Sequence, residues 1–513
     1  MDHFNSTDFD THINDLILEW KIPGLAIAVS QGEDVRSKGF GLATLDPPRP
    51  CNGDTIFDLA SSSKSLTAAS VGLLVADEEK YSNVTWTAKM HDLLPDDFVM
   101  SEESYTKDIT VEDTLGHRTG LPRHDLSYFG IRSNHTDTPQ SVTRNLRNLQ
   151  LNAPIRTKYQ YNNIFYTVAT HLVEKFSGAD FSDFLQKNFF APLNMTSTHL
   201  QPDASKAAGL EERLATPYHW VDETKSYRTV PYQQCPEAQG AGSVMTSVND
   251  YIKWVRALMN QQDPITKEVF EGITKIRIPI DPDVDDEDRD PFTSFEGYAT
   301  GLGVKYYRGA QIISHDGGVP GFSSIHLFMP EHDFALIVLG NTGEAGTICD
   351  VVAMELVDAM LKVPRTERVD WLARAKAMKE KEDKEDKEDS LRKKLLQDSE
   401  NPEALKMPLE TYAGHYWNVG YRGIEIQIRD GNLFIDASDR SMGFYLTLEH
   451  LKDQTLFEGR MEDYFDGSEG EMAAEFKFDN DRVVKLGLDM ESDLGHYIWF
   501  DKVEGPRKDL PAR

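Results

Sequence analysis

Between residues 366 and 400 the chain changes character, and that change constrains the fold more than any other feature. The run KAMKEKEDKEDKEDSLRKKLL alternates charges so densely that no apolar stripe is left to face a core. It reads as a charged helix or a solvated linker. The chain must therefore build separate bodies on either side, over 1–365 and 405–513, with 366–404 between them. A length of 513 residues suits that division, and 39% hydrophobic and 10% aromatic residues can supply sizeable cores.

The two sides are patterned differently. GLAIAVSQGEDVRSKGFG (24–41) predicts two short strands around a turn at Gln31–Asp34, and a helix is expected after Ser61. From 90 to 260 the patterns are mainly helical, as in FYTVATHLVEKFSG (165–178) and VNDYIKWVRALMN (248–260). DPDVDDEDRDP (281–291) is an acidic loop. SIHLFMPEHDFALIVLGN (324–341) predicts two strands about a Pro-Glu-His-Asp turn, and CDVVAMELVDAML (349–361) a helix. Strands at both ends of a helical middle imply an α+β body whose sheet is assembled from both ends. Past 405 the pattern is alternating strands at 424–436, 473–490 and 497–500, with turns at Asp430-Gly431 and Asn480-Asp481. That is a small β-barrel or sandwich.

Charge and composition exclude several roles. A net charge of −31 argues against nucleic acid and anionic membrane surfaces as partners. Cys51, Cys235 and Cys349 are few, odd in number and far apart, so neither a disulfide framework nor a metal site is indicated. The opening MDHFNSTDFDTHINDLILEW is acidic and has no apolar core of signal length, so a cytoplasmic protein is expected and the sequons at Asn5, Asn83, Asn134 and Asn194 read as chance.

The chemistry centres on FDLASSSKSLTAAS (57–70). A serine before an apolar run is ordinarily a helix N-cap, and S-x-x-K recurs at Ser104 and Ser390 in solvated settings. Yet if a helix begins near Ser61, Lys64 lies one turn on, on the same face. A hydroxyl needs a base to become a nucleophile, and a buried lysine can be one. The helix start also offers free N–H groups to an oxyanion. Tyr161 and Asn163, in YQYNN, would turn one way from an extended segment. His315, in SHDGGVPG, precedes Gly317 and Gly318, which let a backbone approach a ligand closely. The plain alternatives are a half-buried loop tyrosine and a tight glycine turn.

The order S-x-x-K, then Y-x-N, then H-x-G resembles serine β-lactamases of the AmpC type, penicillin-binding proteins and, more closely, the CubicO family of β-lactamase-related serine hydrolases. IPGLAIAVSQGEDVRSKGFGLATL, TIFDLASSSKSLTA, LGHRTGLPRHD (with Thr119 where serine is usual) and GAGSVMTSVNDYIKW resemble further segments of that family, over about residues 12–362. LETYAGHYWNVGYRGIEIQIRDGNLFI resembles the lipocalin-like domain appended to some members. The resemblance implies a β-lactamase/transpeptidase-like fold: an antiparallel sheet flanked by helices, a helical subdomain and a C-terminal barrel.

For the site it implies Ser61 as nucleophile, Lys64 and Tyr161 as shared base, and Asn163 positioning both substrate amide and lysine. Ser61 and Gly318 N–H groups would form the oxyanion hole beside Gly317, with His315 where penicillin enzymes carry lysine. It implies no metal and no cofactor. The expected substrate is a small-molecule ester or amide cleaved through an acyl-enzyme. An acyltransferase of secondary metabolism and a catalytically inactive binding homologue are the alternatives. Homo-oligomerisation through the C-terminal domain is left open.

Overall fold

The computed structural model describes residues 1–283, 288–388, 390–396 and 401–506. In chain order, the elements that position the site are α1 (Thr7–Glu19), β1 (Gly24–Gln31), β2 (Asp34–Thr44), α2 (Lys64–Ala76), α3 (Ile164–Ser177) and α4 (Val248–Met259). They are followed by β3 (Gly303–Tyr307), β4 (Ala310–Val319), β5 (Phe322–Met329), β6 (Phe334–Gly340), α5 (Ala345–Met360) and α6 (Trp371–Glu388).

The nine-stranded antiparallel sheet runs in the order Arg49–Pro50, β2, β1, β6, β5, β4, β3, Gly297–Tyr298, Ile278–Pro279. β1 and β6 are central neighbours, with Ile27 opposite Val338, so the sheet is closed from both ends of the body. Both strands read as unbroken apolar runs because both faces are covered. Leu25, Ile27 and Val29 enter the core under α1 and α5, while Ala26 and Ala28 enter the core shared with α2 and α4. Small residues on the second face suit the close approach of α4, whose Tyr251 and Trp254 are buried. The helical middle also contains a three-stranded sheet (Ile56–Asp58, Val244–Ser247, His199–Leu200) and a hairpin (Tyr218–Val221 with Ser226–Thr229) that the helical patterns did not announce.

The charged segment is not wholly solvated. α6 begins with buried Trp371, whose Nε1 donates to Asp358 Oδ2 at 3.0 Å. Arg374 binds Asp290 at 2.6 Å and Lys381 binds Asp288 at 2.7 Å. The acidic loop expected at 281–291 lies in part, at 284–287, outside the described residues.

The C-terminal body is a closed barrel rather than a sandwich. Its strands are β7 (Gly414–Asn418), β8 (Arg422–Arg429), β9 (Asn432–Ala437), β10 (Phe444–Lys452), β11 (Leu456–Asp463), β12 (Glu469–Asp479), β13 (Arg482–Leu488) and β14 (Ile498–Val503), with β7 pairing back onto β14. Asp430 and Gly431 both take positive φ (52° and 80°), the turn an Asp-Gly pair favours between antiparallel strands. Leu433, Ile435, Leu446, Leu448, Phe457 and Phe476 fill the interior.

The barrel docks on the helical side of the first body through buried polar contacts. Arg422 pairs with Asp137 at 2.5 Å, both side chains almost fully enclosed. Asn145 Nδ2 donates to Gly420 O at 3.0 Å, and Arg132 donates to Ser438 O and Arg440 O at 2.5 and 2.7 Å.

Candidate active site

Ser61 sits in a single 3₁₀ turn, Ala60–Ser63, immediately ahead of α2. It caps nothing. Ala60 enters the turn in the left-handed region at φ 48°, a conformation an alanine holds only where its surroundings fix it. Asp58 does part of this, accepting from Ala60 N at 2.7 Å; burial pushes its carboxyl up to about 6. The serines that follow are fasteners. Ser62 Oγ lies 3.0 Å from His315 O and 2.8 Å from Ser324 Oγ, Ser63 Oγ accepts from Val244 N at 3.2 Å, and Ser65 Oγ accepts from Trp254 Nε1 at 3.1 Å. Of these four serines, Ser61 alone lines the cleft.

Lys64 is fully buried, and its Nζ has three oxygen partners: Ala241 O at 2.7 Å, Asn163 Oδ1 at 2.9 Å and Ser61 Oγ at 2.9 Å. Two of these can only accept. A neutral amine satisfies both with its two hydrogens and turns its lone pair to the third, the Ser61 hydroxyl. Burial lowers the Lys64 pKa to about 7, with Arg123 acting in the same direction and Asp125 and Asp316 opposing.

Tyr161 and Asn163 both turn toward Lys64, while Asn162 between them turns away and donates to Pro122 O at 2.5 Å. The Tyr161 ring centroid lies 4.8 Å from Lys64 Nζ. Burial drives the Tyr161 pKa well up, so the phenol keeps its proton. The amide nitrogen of Asn163 donates to Asp125, at 3.1 and 3.3 Å from the two carboxylate oxygens.

His315 also turns inward. Its Nδ1 donates to Asp316 O at 2.6 Å and its Nε2 accepts from Tyr298 Oη at 3.0 Å, while burial lowers its pKa to about 4. A neutral ring with both nitrogens engaged is no counterpart of a lysine ammonium. The two glycines differ. A Cβ on Gly317 would stand 2.3 Å from Leu59 O, 2.6 Å from Ser324 Oγ and 2.9 Å from Ser61 N; one on Gly318 would meet nothing within 4 Å. Gly317 permits β4 to pass against the Ser61 turn, and Gly318 opens onto the cleft.

The cleft has a volume of about 820 Å³. Ser61, Tyr161 and Arg123 line it. The same cleft is lined by the carboxylates of Glu296, Asp316 and Asp350 and by Lys305. Asp125, Arg123 and the Ala241 carbonyl were not singled out from the sequence, although the first two lie in LGHRTGLPRHD and the third in GAGSVMTSVNDYIKW. Among the described residues no group of three or more His, Cys, Asp and Glu side chains is placed to hold a metal ion, and no helix is long and apolar enough to cross a membrane.

Sequence and structure comparisons identify the family and the fold. Residues 9–348 match the beta-lactamase family and residues 398–502 match a domain of unknown function, DUF3471. The chain belongs to the beta-lactamase family. It is 32% identical to an unguisins hydrolase of Aspergillus campestris over 96% of this chain and 91% of that protein. It is also 32% identical to an unguisins hydrolase of Aspergillus violaceofuscus, over 86% and 81% of the two chains. Among solved structures, the octameric penicillin-binding protein homologue from Pyrococcus abyssi superposes over 96% of this chain and 99% of its own, with a TM-score of 0.60 at 18% identity. D-amino acid amidase from Ochrobactrum anthropi SV3 covers 69% of this chain and 96% of its own, at a TM-score of 0.54 and 23% identity. These two likenesses concern the fold.

Proposed function

We propose that this chain is a serine hydrolase that cleaves an amide or ester of a small molecule through an acyl-enzyme on Ser61. The observation that carries the reading is the Lys64 amine, buried, 2.9 Å from the Ser61 hydroxyl and bound otherwise to two obligate acceptors. Lys64 takes the Ser61 proton as Oγ bonds to the acyl carbon. The carbonyl oxygen gathers negative charge and is met by the Ser61 and Gly318 N–H groups. The proton passes to the leaving amine or alkoxide as the acyl bond breaks, with the Tyr161 phenol as relay. Water then adds to the acyl carbon, gives its proton to Lys64, and the departing Ser61 oxygen takes it back.

The 32% identity to two unguisins hydrolases makes unguisins the first substrates to test. Neutral or cationic acyl donors suit this cleft better than penicillins, because His315 is neutral and Asp316 is exposed beside it, where a substrate carboxylate would be repelled. A fluorophosphonate probe tests the core of the reading by mass spectrometry. Wild type should be labelled at Ser61, and Ser61→Ala should lose labelling and turnover by on the order of 10⁴-fold or more while staying folded. Turnover that survives Ser61→Ala would reject it.

A further inference from the structure

The lysine depends on a chain of contacts that leaves the catalytic body. Asn163 can offer Oδ1 to Lys64 in only one of its two amide orientations. Asp125 selects that orientation, because its carboxylate accepts from Nδ2 and would face an oxygen if the amide flipped. Asp125 follows His124, which is held in the left-handed region at φ 49°. The polar groups that hold His124 come from elsewhere. Its backbone N–H donates to Glu491 Oε2 at 2.5 Å, Nε2–H donates to Gln150 O at 2.8 Å, and Nδ1 accepts from Tyr421 Oη at 2.6 Å. The carbonyl of Gln150 can only accept, which fixes the tautomer and leaves Nδ1 to the phenol. Burial keeps the ring neutral, with its pKa lowered to about 4. Tyr421 and Glu491 belong to the barrel, at the mouths of β8 and β13, and both are buried.

We propose that Tyr421 and Glu491 are positioning residues for the reaction at Ser61: the barrel completes the site by clamping His124 and, through Asp125 and Asn163, orienting the Lys64 amine. This rests on the reading of Ser61 and Lys64 as nucleophile and base. The clamp holds a residue whose backbone is unfavourable without it, and the next residue along carries the carboxylate that Asn163 needs. A second barrel contact reaches the other support of Lys64: Ser441 hydrogen-bonds Glu237, four residues before Ala241.

The charged and titratable groups around Lys64 are Asp125 and Arg123 on the clamped loop, Asp316 and His315 on β4, His117, and the phenols of Tyr161 and Tyr166. Releasing His124 lets Asp125 withdraw. That removes a carboxylate favouring the ammonium form, so the lysine deprotonates at lower pH while its amine loses its aim.

The test uses the full chain. Tyr421→Phe and Glu491→Leu are labelled with a fluorophosphonate across a pH series, beside wild type and Arg132→Met, an interface variant that loses the contacts to Ser438 O and Arg440 O. The expected result is a plateau labelling rate lowered about tenfold or more in the first two, with the acidic limb moved to lower pH. Arg132→Met should lose stability while keeping both plateau and limb. If Glu491→Leu does not fold, Tyr421→Phe, which removes one oxygen, decides. Wild-type plateau and limb in the clamp variants would overturn the proposal, as would the same shift in Arg132→Met. A wild-type chain that is not labelled at Ser61 would instead overturn the underlying reading, and the proposal with it.

Discussion

Gly317 and Gly318 are adjacent, and substituting each by alanine should have opposite consequences. Neither has the positive φ that would strain an alanine, so space alone decides. The Gly318 Cβ enters open cleft. The Gly317 Cβ would stand 2.3 Å from Leu59 O, more than an ångström inside ordinary contact, and Leu59 is backbone that leads directly into the Ser61 turn. Neither Leu59 nor Ser61 N can swing aside as a side-chain tip could. Overpacking of this kind costs about 1–3 kcal/mol. The larger effect is on the nucleophile. A displacement of about 1 Å at a reacting group can cost on the order of 10²-fold in rate. Gly317→Ala should therefore label at Ser61 about 10²-fold more slowly than wild type, with a melting temperature lowered by several degrees. Gly318→Ala should stay within about threefold in rate and unchanged in melting. Labelling and melting of Gly317→Ala equal to wild type would refute the argument that β4 must be bare where it crosses the nucleophile turn.

Further outcomes follow from other parts of the structure. Acylation should rise with pH through a midpoint near 7, because the Lys64 amine is active when neutral and burial lowers its pKa to about 7; stopped-flow labelling against pH measures this. Asp137→Ala strands Arg422 in the interface without its carboxylate and should cost about 3–5 kcal/mol by urea unfolding, the usual penalty for an unpaired buried charge. Trp371→Ala removes a buried ring 5.6 Å from Tyr307 and the bond to Asp358; it should cost about 3–5 kcal/mol and expose α6 to proteolysis at its N-terminal end.

What could be read from the sequence was local. Ser61 and Lys64 are separated by one helical turn, so the helix start brings them together, and β1 and β6 are apolar runs bounded by turns. Asp125 was hidden because it acts through Asn163, a residue 38 positions away that is itself a support. The inward turn of His315 was hidden because Tyr298, whose hydroxyl meets its Nε2, carries no motif. In the barrel, β10 was missed although Phe444, Leu446 and Leu448 alternate with Tyr445, Thr447 and Glu449, because an outward tyrosine blurs the contrast between faces. Trp371 opens a helix of almost continuous charge, so composition alone concealed its anchoring.

The clamp and the sheet also set an order of biogenesis. Ser61 is made early, but Ser62 is fastened to residues 253 and 262 positions later, and His124 to a glutamate 367 positions later. Contacts of such sequence separation form slowly, and a chain emerging at roughly 5–20 residues per second cannot make them until the late strands arrive. A growing chain thus carries Ser61, the proposed nucleophile, for most of its synthesis without a cleft around it, and the lysine that would arm the serine is aimed last. The arrangement ties reactivity to completion: a truncated or stalled product holds the serine and lysine of the S-x-x-K segment but lacks the geometry to acylate itself on passing metabolites.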